Sequence, residues 1–278
     1  MKHATPFTLV LLITLALGVE TRAQSSIPPG EPGAKAALEK STRHGEYVDV
    51  EVPGRAAPLR AYVVYPESKD NAPVVIVIHE IFGLTDWVRS VADQLAADGF
   101  IAVAPDLLSG MGEGGKGTEG FKSRDDVTKA VRELKPDVVK RDLDAVRAYG
   151  KKLPASNKKT ATIGFCWGGS TSFSYATVTP ELAAAVVFYG TSPEKPESFE
   201  KLAAPVLGLY GSDDARVNKT IEPADGMAKK FGKSYTHHVY DGAGHGFLRQ
   251  QDGRDGANMK ASEQAWPTTI EFLKQHTK

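Results

Sequence analysis

Five short apolar runs limit what this chain can fold into. Val74-Val75-Ile76-Val77-Ile78 is uninterrupted and β-branched, and similar runs recur at Ile101–Ala104, Ala161–Phe165, Ala184–Phe188 and Val206–Tyr210. A strand with one face in water alternates apolar and polar residues. These runs do not, so both of their faces must be covered. Between and beyond them lie segments of helical periodicity at Trp87–Ala97, Asp125–Leu134, Val138–Lys151, Gly169–Ala176 and Ala224–Phe231, with a last helix expected over Thr268–His276. Strands and helices in that order imply a doubly wound α/β fold, a mostly parallel sheet built from right-handed crossovers. Tyr47–Val52 and Leu59–Val64 do alternate, and Pro53-Gly54 separates them, which predicts an antiparallel hairpin at the sheet edge.

Composition narrows the functional classes. The chain has 278 residues, 41% hydrophobic and 24% charged, with a formal net charge of +0. That balance suits one globular α/β domain and gives no electrostatic case for nucleic acid or an anionic membrane as a partner. Lys2 and His3 precede an apolar run from Phe7 to Val19, and Thr21-Arg22-Ala23 offers small residues at a cut before Gln24. Residues 1–23 therefore read as a secretory signal peptide, too short to span a bilayer comfortably, which predicts a periplasmic or secreted protein with no membrane attachment after cleavage. Residues 24–45, rich in Ser, Pro, Gly and Lys, read as a flexible linker with a short helix near Ala36–Lys40, and residues 46–278 as the folded domain. A monomer is expected. The stretch Ser109–Gly120 holds six glycines and predicts a mobile loop over the C-terminal edge of the sheet. It is no phosphate loop, because Gly117 follows Lys116 where a Ser or Thr is needed for Mg²⁺.

The only cysteine stands in Gly164-Phe165-Cys166-Trp167-Gly168-Gly169, after an apolar run and before a helix-compatible segment. That is the strand, sharp turn and helix of a nucleophile elbow, with cysteine where serine is usual. A lone cysteine in an exported protein has no internal disulfide partner, and the turn context favours a reactive thiol. A thiol nucleophile needs a base and a group to hold that base, following later in the chain as acid and then histidine. Asp213 and Asp214 follow the Val206–Tyr210 run; the spacing of Gly211, Asp214 and Val217 selects Asp214, although both could instead cap the turn. His245 lies in the glycine-flanked segment Gly242-Ala243-Gly244-His245-Gly246. His237 and His238 fall within a strand and point to opposite faces, so a shared metal ion is not expected, and no cofactor is called for. The N–H of Trp167, with that of Ile81 after the Val74–Ile78 run, would form the oxyanion hole.

Cys166 in its glycine frame, His79-Glu80-Ile81-Phe82-Gly83, Pro105-Asp106-Leu107, Asp214 and His245 together resemble the dienelactone hydrolase family over roughly residues 45–276. The resemblance implies an α/β-hydrolase fold, a Cys166-His245-Asp214 triad, and a Glu80 that engages the resting thiol and swings away when substrate arrives. It also implies a small-molecule ester or lactone as substrate, hydrolysed through a cysteine-bound thioester. Founding members grip a substrate carboxylate with two arginines. One matches Arg249, while the position of the other is Gly110, which points away from dienelactone itself. The rival reading is a non-catalytic or redox-active exported binding protein that keeps the fold, since an exposed thiol oxidises readily outside the cytoplasm.

Overall fold

The computed structural model describes residue 1, residues 27–67 and residues 70–278; apart from residue 1, the segment read as a signal peptide lies outside them. The strands are β1 (Gly45–Val50), β2 (Leu59–Val64), β3 (Ala72–Ile78), β4 (Ile101–Pro105), β5 (Ser156–Phe165), β6 (Ala184–Phe188), β7 (Val206–Asp213) and β8 (Tyr235–Gly244). The helices are α1 (Ala34–Lys40), α2 (Asp86–Ala97), α3 (Arg124–Glu133), α4 (Pro136–Lys152), α5 (Trp167–Ala176), α6 (Pro196–Lys201), α7 (Ala215–Asn218), α8 (Ile221–Lys230) and α9 (Ala257–Thr277). All eight strands form one sheet in the order β1-β2-β4-β3-β5-β6-β7-β8. β2 runs antiparallel to both neighbours, and the remaining pairs are parallel.

The unbroken apolar runs are explained by the two cores. Val75 and Val77 join α2 and α9 on one face, with Leu95, Phe165, Trp266 and Leu273; Val74, Ile76 and Ile78 join α4, α5 and α8 on the other, with Leu143, Val146 and Phe173. From Val74 to Ile78 every side chain of β3 is fully buried on its own side. At roughly 1.5–3 kcal/mol per buried aliphatic side chain, neither face could be left in water.

Strand order places the site. The chain goes from β3 outward to β4, then returns across β3 to β5. Crossovers therefore reverse between β3 and β5, and a crevice opens at their carboxyl ends. Ile78 pairs with Gly164 there, so the segment starting at His79 and the turn at Cys166 emerge side by side.

Three expectations change. Residues 24–45 are not a flexible linker over their described part: a 3₁₀ turn at Glu31–Gly33 runs into α1, Ala34 is buried, and Ser41 and Arg43 both bind Asp93 of α2. Docking through ion pairs and backbone leaves no trace in a composition poor in apolar residues. The glycine-rich loop has a defined course, pinned where the Thr118 N–H and hydroxyl donate to Asp106 at 2.7 and 2.9 Å. The last helix spans 21 residues rather than nine, because Pro267 lies inside α9 instead of before it. An interior proline costs about 3 kcal/mol, and burial of Trp266, Ile270 and Leu273 against the sheet outweighs it.

Candidate active site

Cys166 sits between the end of β5 and the start of α5 with φ 54° and ψ −113°. A non-glycine residue in that region is strained by about 1–3 kcal/mol, and the surroundings must hold it there. The Cys166 N–H donates to the Phe188 carbonyl at 3.0 Å, and the Ser170 N–H donates to the Cys166 carbonyl at 3.1 Å. Flanking side chains are impossible: a Cβ on Gly164 would lie 1.9 Å from the Gly168 carbonyl oxygen, and one on Gly168 would lie 2.3 Å from that of Ile78. The elbow is thus a close crossing of β5, α5 and the end of β3.

Asp214 and His245 meet across the β7–β8 pair. Asp213 is in register with Gly244, so the next residues along, Asp214 and His245, leave the sheet together. His245 Nδ1 lies 2.6 Å from Asp214 Oδ2, and the Asp214 side chain is only 7% exposed. Asp213 turns outward, 57% exposed, to pair with Arg254. With Nδ1 committed to Asp214, Nε2 is left for Cys166. Burial works against charge on the ring, but hydrogen bonds to Asp214 and Cys166 prevail and push His245 up to about 9. The ring is braced by Tyr189, edge-on at 5.2 Å.

The loop after β3 supplies the opposite wall. His79 is buried, its ring stacked on the Trp167 indole at 5.7 Å, and Nδ1 lies 2.7 Å from the Glu80 carbonyl oxygen. A planar trans peptide places its N–H opposite its carbonyl, so this contact also sets the direction of the Ile81 N–H. Among the described residues, neither the Ile81 nor the Trp167 N–H donates to a protein acceptor, as an oxyanion cradle requires.

Glu80 and Arg249 depart from what the resemblance implies. Glu80 is buried, and its Oε2 lies 2.6 Å from Arg249 Nε; among the described residues no hydrogen bond joins it to Cys166. Burial raises the Glu80 pKa, opposed by the nearby charges of Arg249 and His245. Arg249 is neither a surface cation nor an unpaired one. Its side chain is 13% exposed, held by Glu80 and by Glu31 of the N-terminal segment. Tyr189 and Glu31 complete the surroundings and carry no local sequence motif. Tyr189 follows β6 with φ 41°, and its phenol is buried beside Glu80 and Cys166, which with burial itself keeps it neutral. Its position just past a buried strand at the carboxyl edge of the sheet was the one available signal.

A mostly parallel eight-stranded sheet, helices on both faces and its sharpest turn after the central β5 make up the α/β-hydrolase fold. Solved structures share it. A Klebsiella pneumoniae "Putative Dienelactone Hydrolase" superposes with a TM-score of 0.73 at 26% identity, covering 84% of this chain and 100% of that one. A Pyrococcus horikoshii acylaminoacyl peptidase gives 0.64 at 14% identity, covering 88% of this chain and 43% of that one. Within the fold the sequence is more specific. The model of the dienelactone hydrolase family matches residues 59–277. A Salmonella typhimurium "Putative carboxymethylenebutenolidase" is 31% identical over 237 residues, 81% of this chain and 86% of that protein. The chain belongs to the dienelactone hydrolase family and is a hydrolase.

Proposed function

We propose that the protein hydrolyses a small carboxylic ester or lactone through an acyl thioester on Cys166. The observation that carries this is the strained elbow cysteine facing a histidine anchored 2.6 Å from a buried aspartate. His245 takes the Cys166 proton at Nε2, and Asp214 holds the resulting imidazolium in place. The thiolate attacks the substrate carbonyl carbon, and the oxyanion is received by the N–H groups of Trp167 and Ile81. Collapse breaks the ester C–O bond, and His245 returns its proton to the leaving alkoxide. His245 then takes a proton from water, the hydroxide attacks the thioester, and the acid leaves as the thiol is restored. Arg249 has a distinct part. An unpaired carboxylate at Glu80 would disfavour the thiolate, and the guanidinium offsets that charge.

The names of the relatives support ester or lactone substrates, and family membership supports hydrolysis. Residues 1–23 extend the proposal to export into the periplasm or beyond, with a small molecule as the partner. The test is turnover of p-nitrophenyl acetate together with mass spectrometry of the trapped enzyme. Wild type should show an acyl adduct on Cys166 and a burst of nitrophenolate. Cys166→Ala should lose about 10³-fold or more in kcat/KM. Unchanged turnover in that variant would end the thioester reading.

A further inference from the structure

Arg249 belongs to a longer chain of charges. Its Nε faces Glu80 Oε2 at 2.6 Å, its Nη1 contacts Glu31 Oε2, and the other Glu31 oxygen receives Arg124 Nη2 at 2.8 Å. Both cations lie over the Phe82 ring, Arg124 at 3.6 Å and Arg249 at 5.2 Å from its centroid. Backbone contacts seat the same segment: the Glu31 N–H donates to the Arg249 carbonyl at 2.9 Å, and Gln251 Nε2 donates to the Pro28 carbonyl at 2.8 Å. Glu31 and Arg249 are 218 residues apart in the chain.

Two guanidinium groups converging on one carboxylate, with an aromatic ring in contact range of both, is the construction of a carboxylate receptor. Here it is filled from within. Arg249 also lies beside the segment that carries His245: its Nη2 is 3.6 Å from where a Cβ on Gly246 would sit, and both Arg249 and His245 bear on the Glu80 carboxylate. With Nε and Nη1 both facing carboxylates, that edge can hydrogen-bond an uncharged acceptor but has no unbalanced charge to attract an anion.

We propose that Glu31 is an internal carboxylate that occupies the Arg124–Arg249 pair and restricts the crevice to substrates uncharged at that end. The inference rests on the hydrolase reading above and names its substrate class. Glu31 is tethered, so a dissolved carboxylate competes against a high effective concentration of an identical group already in place. A neutral ester has no such competitor. Glu31 acts through the two arginines and touches no reacting atom, so it is a specificity-determining residue rather than a catalytic one.

The test compares the full chain with Glu31→Gln and Glu31→Ala on two esters, p-nitrophenyl butyrate and mono-p-nitrophenyl glutarate. The second differs by a terminal carboxylate. Wild type should favour the neutral ester, and each variant should shift the kcat/KM ratio at least about tenfold towards the charged one, mainly through KM. Adding Arg249→Gln should abolish the shift. In parallel, glutarate should protect Cys166 from iodoacetamide in the Glu31 variants and not in wild type, a readout that needs no turnover. Thermal melts confirm that the variants fold. Wild type that hydrolyses neither ester would count against the hydrolase reading alone. An unchanged ratio and unchanged protection in both folded variants would overturn the role given to Glu31.

Discussion

The crevice holds two buried carboxylates, each paired with a part-buried cation, and the two pairs have opposite properties. Asp214–His245 joins ends of adjacent strands, and its cation can lose its charge. Glu80–Arg249 joins the loop after β3 to a loop after β8, reaches on to Glu31, and contains a cation that stays charged at any accessible pH. The first can carry a proton; the second can only hold a field. On the proposed thioester route the first pair would pass the proton, while the second would keep the buried Glu80 charge from opposing the thiolate.

The largest effect should come from breaking the Asp214–His245 pair, to which the proposed mechanism gives the proton transfers. Asp214→Asn leaves the side-chain shape but frees the ring to adopt the wrong tautomer, and kcat should fall by about 10²–10⁴-fold. The pH profile sharpens the same test. His245 is raised from 6.5 to about 9, so its imidazolium persists below that value and is lost as pH rises through it. The leaving alkoxide of an alkyl ester needs the imidazolium proton, so kcat/KM should decline above about pH 9. A p-nitrophenyl ester, whose leaving group needs no proton, should show no such decline from that step. In Asp214→Asn the largest hydrogen bond raising His245 is gone, and the alkaline limb should move to lower pH. The stability that the pair contributes has the same sign, present below the unfolded value and lost as pH rises towards about 9. An unmoved limb would separate His245 from the proton transfer.

Breaking the fixed pair should instead cost stability. Arg249→Gln strands the buried Glu80 without a cation, for a loss of about 3–5 kcal/mol by chemical denaturation near neutral pH. The sign with pH is opposite to the first pair. Glu80 is already raised by burial, Arg249 opposes that rise, and its removal lets Glu80 take a proton at higher pH. The loss should therefore shrink as pH falls. Glu80→Gln in the Arg249→Gln background should recover most of it, and failure to recover would mean that Arg249 stabilises the fold by packing on Phe82 rather than by charge.

The same contrast explains what was legible in the sequence. Val74–Ile78 announces its two covered faces because burial on both sides forbids alternation, and the glycines around Cys166 announce the elbow because backbone atoms fill the space their side chains would need. Asp214 and His245 follow from strand ends, since a parallel sheet gathers successive carboxyl ends on one edge. Long-range charge leaves no such mark. Nothing near Glu31 in the chain signals a partner 218 residues away, and a polar composition suggested freedom where ion pairs give order. Pro267 misled for a related reason, because local backbone preference marks a boundary that burial of Trp266 overrides. Tyr189 lies between these cases, placed by strand topology but given its neighbours Glu80 and Cys166 only by the packed site.

The smallest expected effect bears on the choice between neighbouring aspartates. Asp213 and Asp214 are consecutive, yet the strand sends one outward to Arg254 and the other inward to His245. The Asp213–Arg254 pair is more than half exposed on both sides, 57% and 51%. Water screens such a pair and both side chains surrender conformational freedom to make it, so it contributes about 0–1 kcal/mol. Asp213→Asn should therefore change stability by no more than that and leave kcat/KM within about twofold of wild type. Added salt should erase the difference, because an exposed ion pair is screened within a distance of about 8–10 Å at moderate ionic strength. Should Asp213→Asn instead cut turnover as deeply as Asp214→Asn, the proposed partner of His245 would move by one residue. The pairing of Asp213 with Gly244 predicts the opposite, because it sets Asp214 and His245 side by side as they leave the sheet.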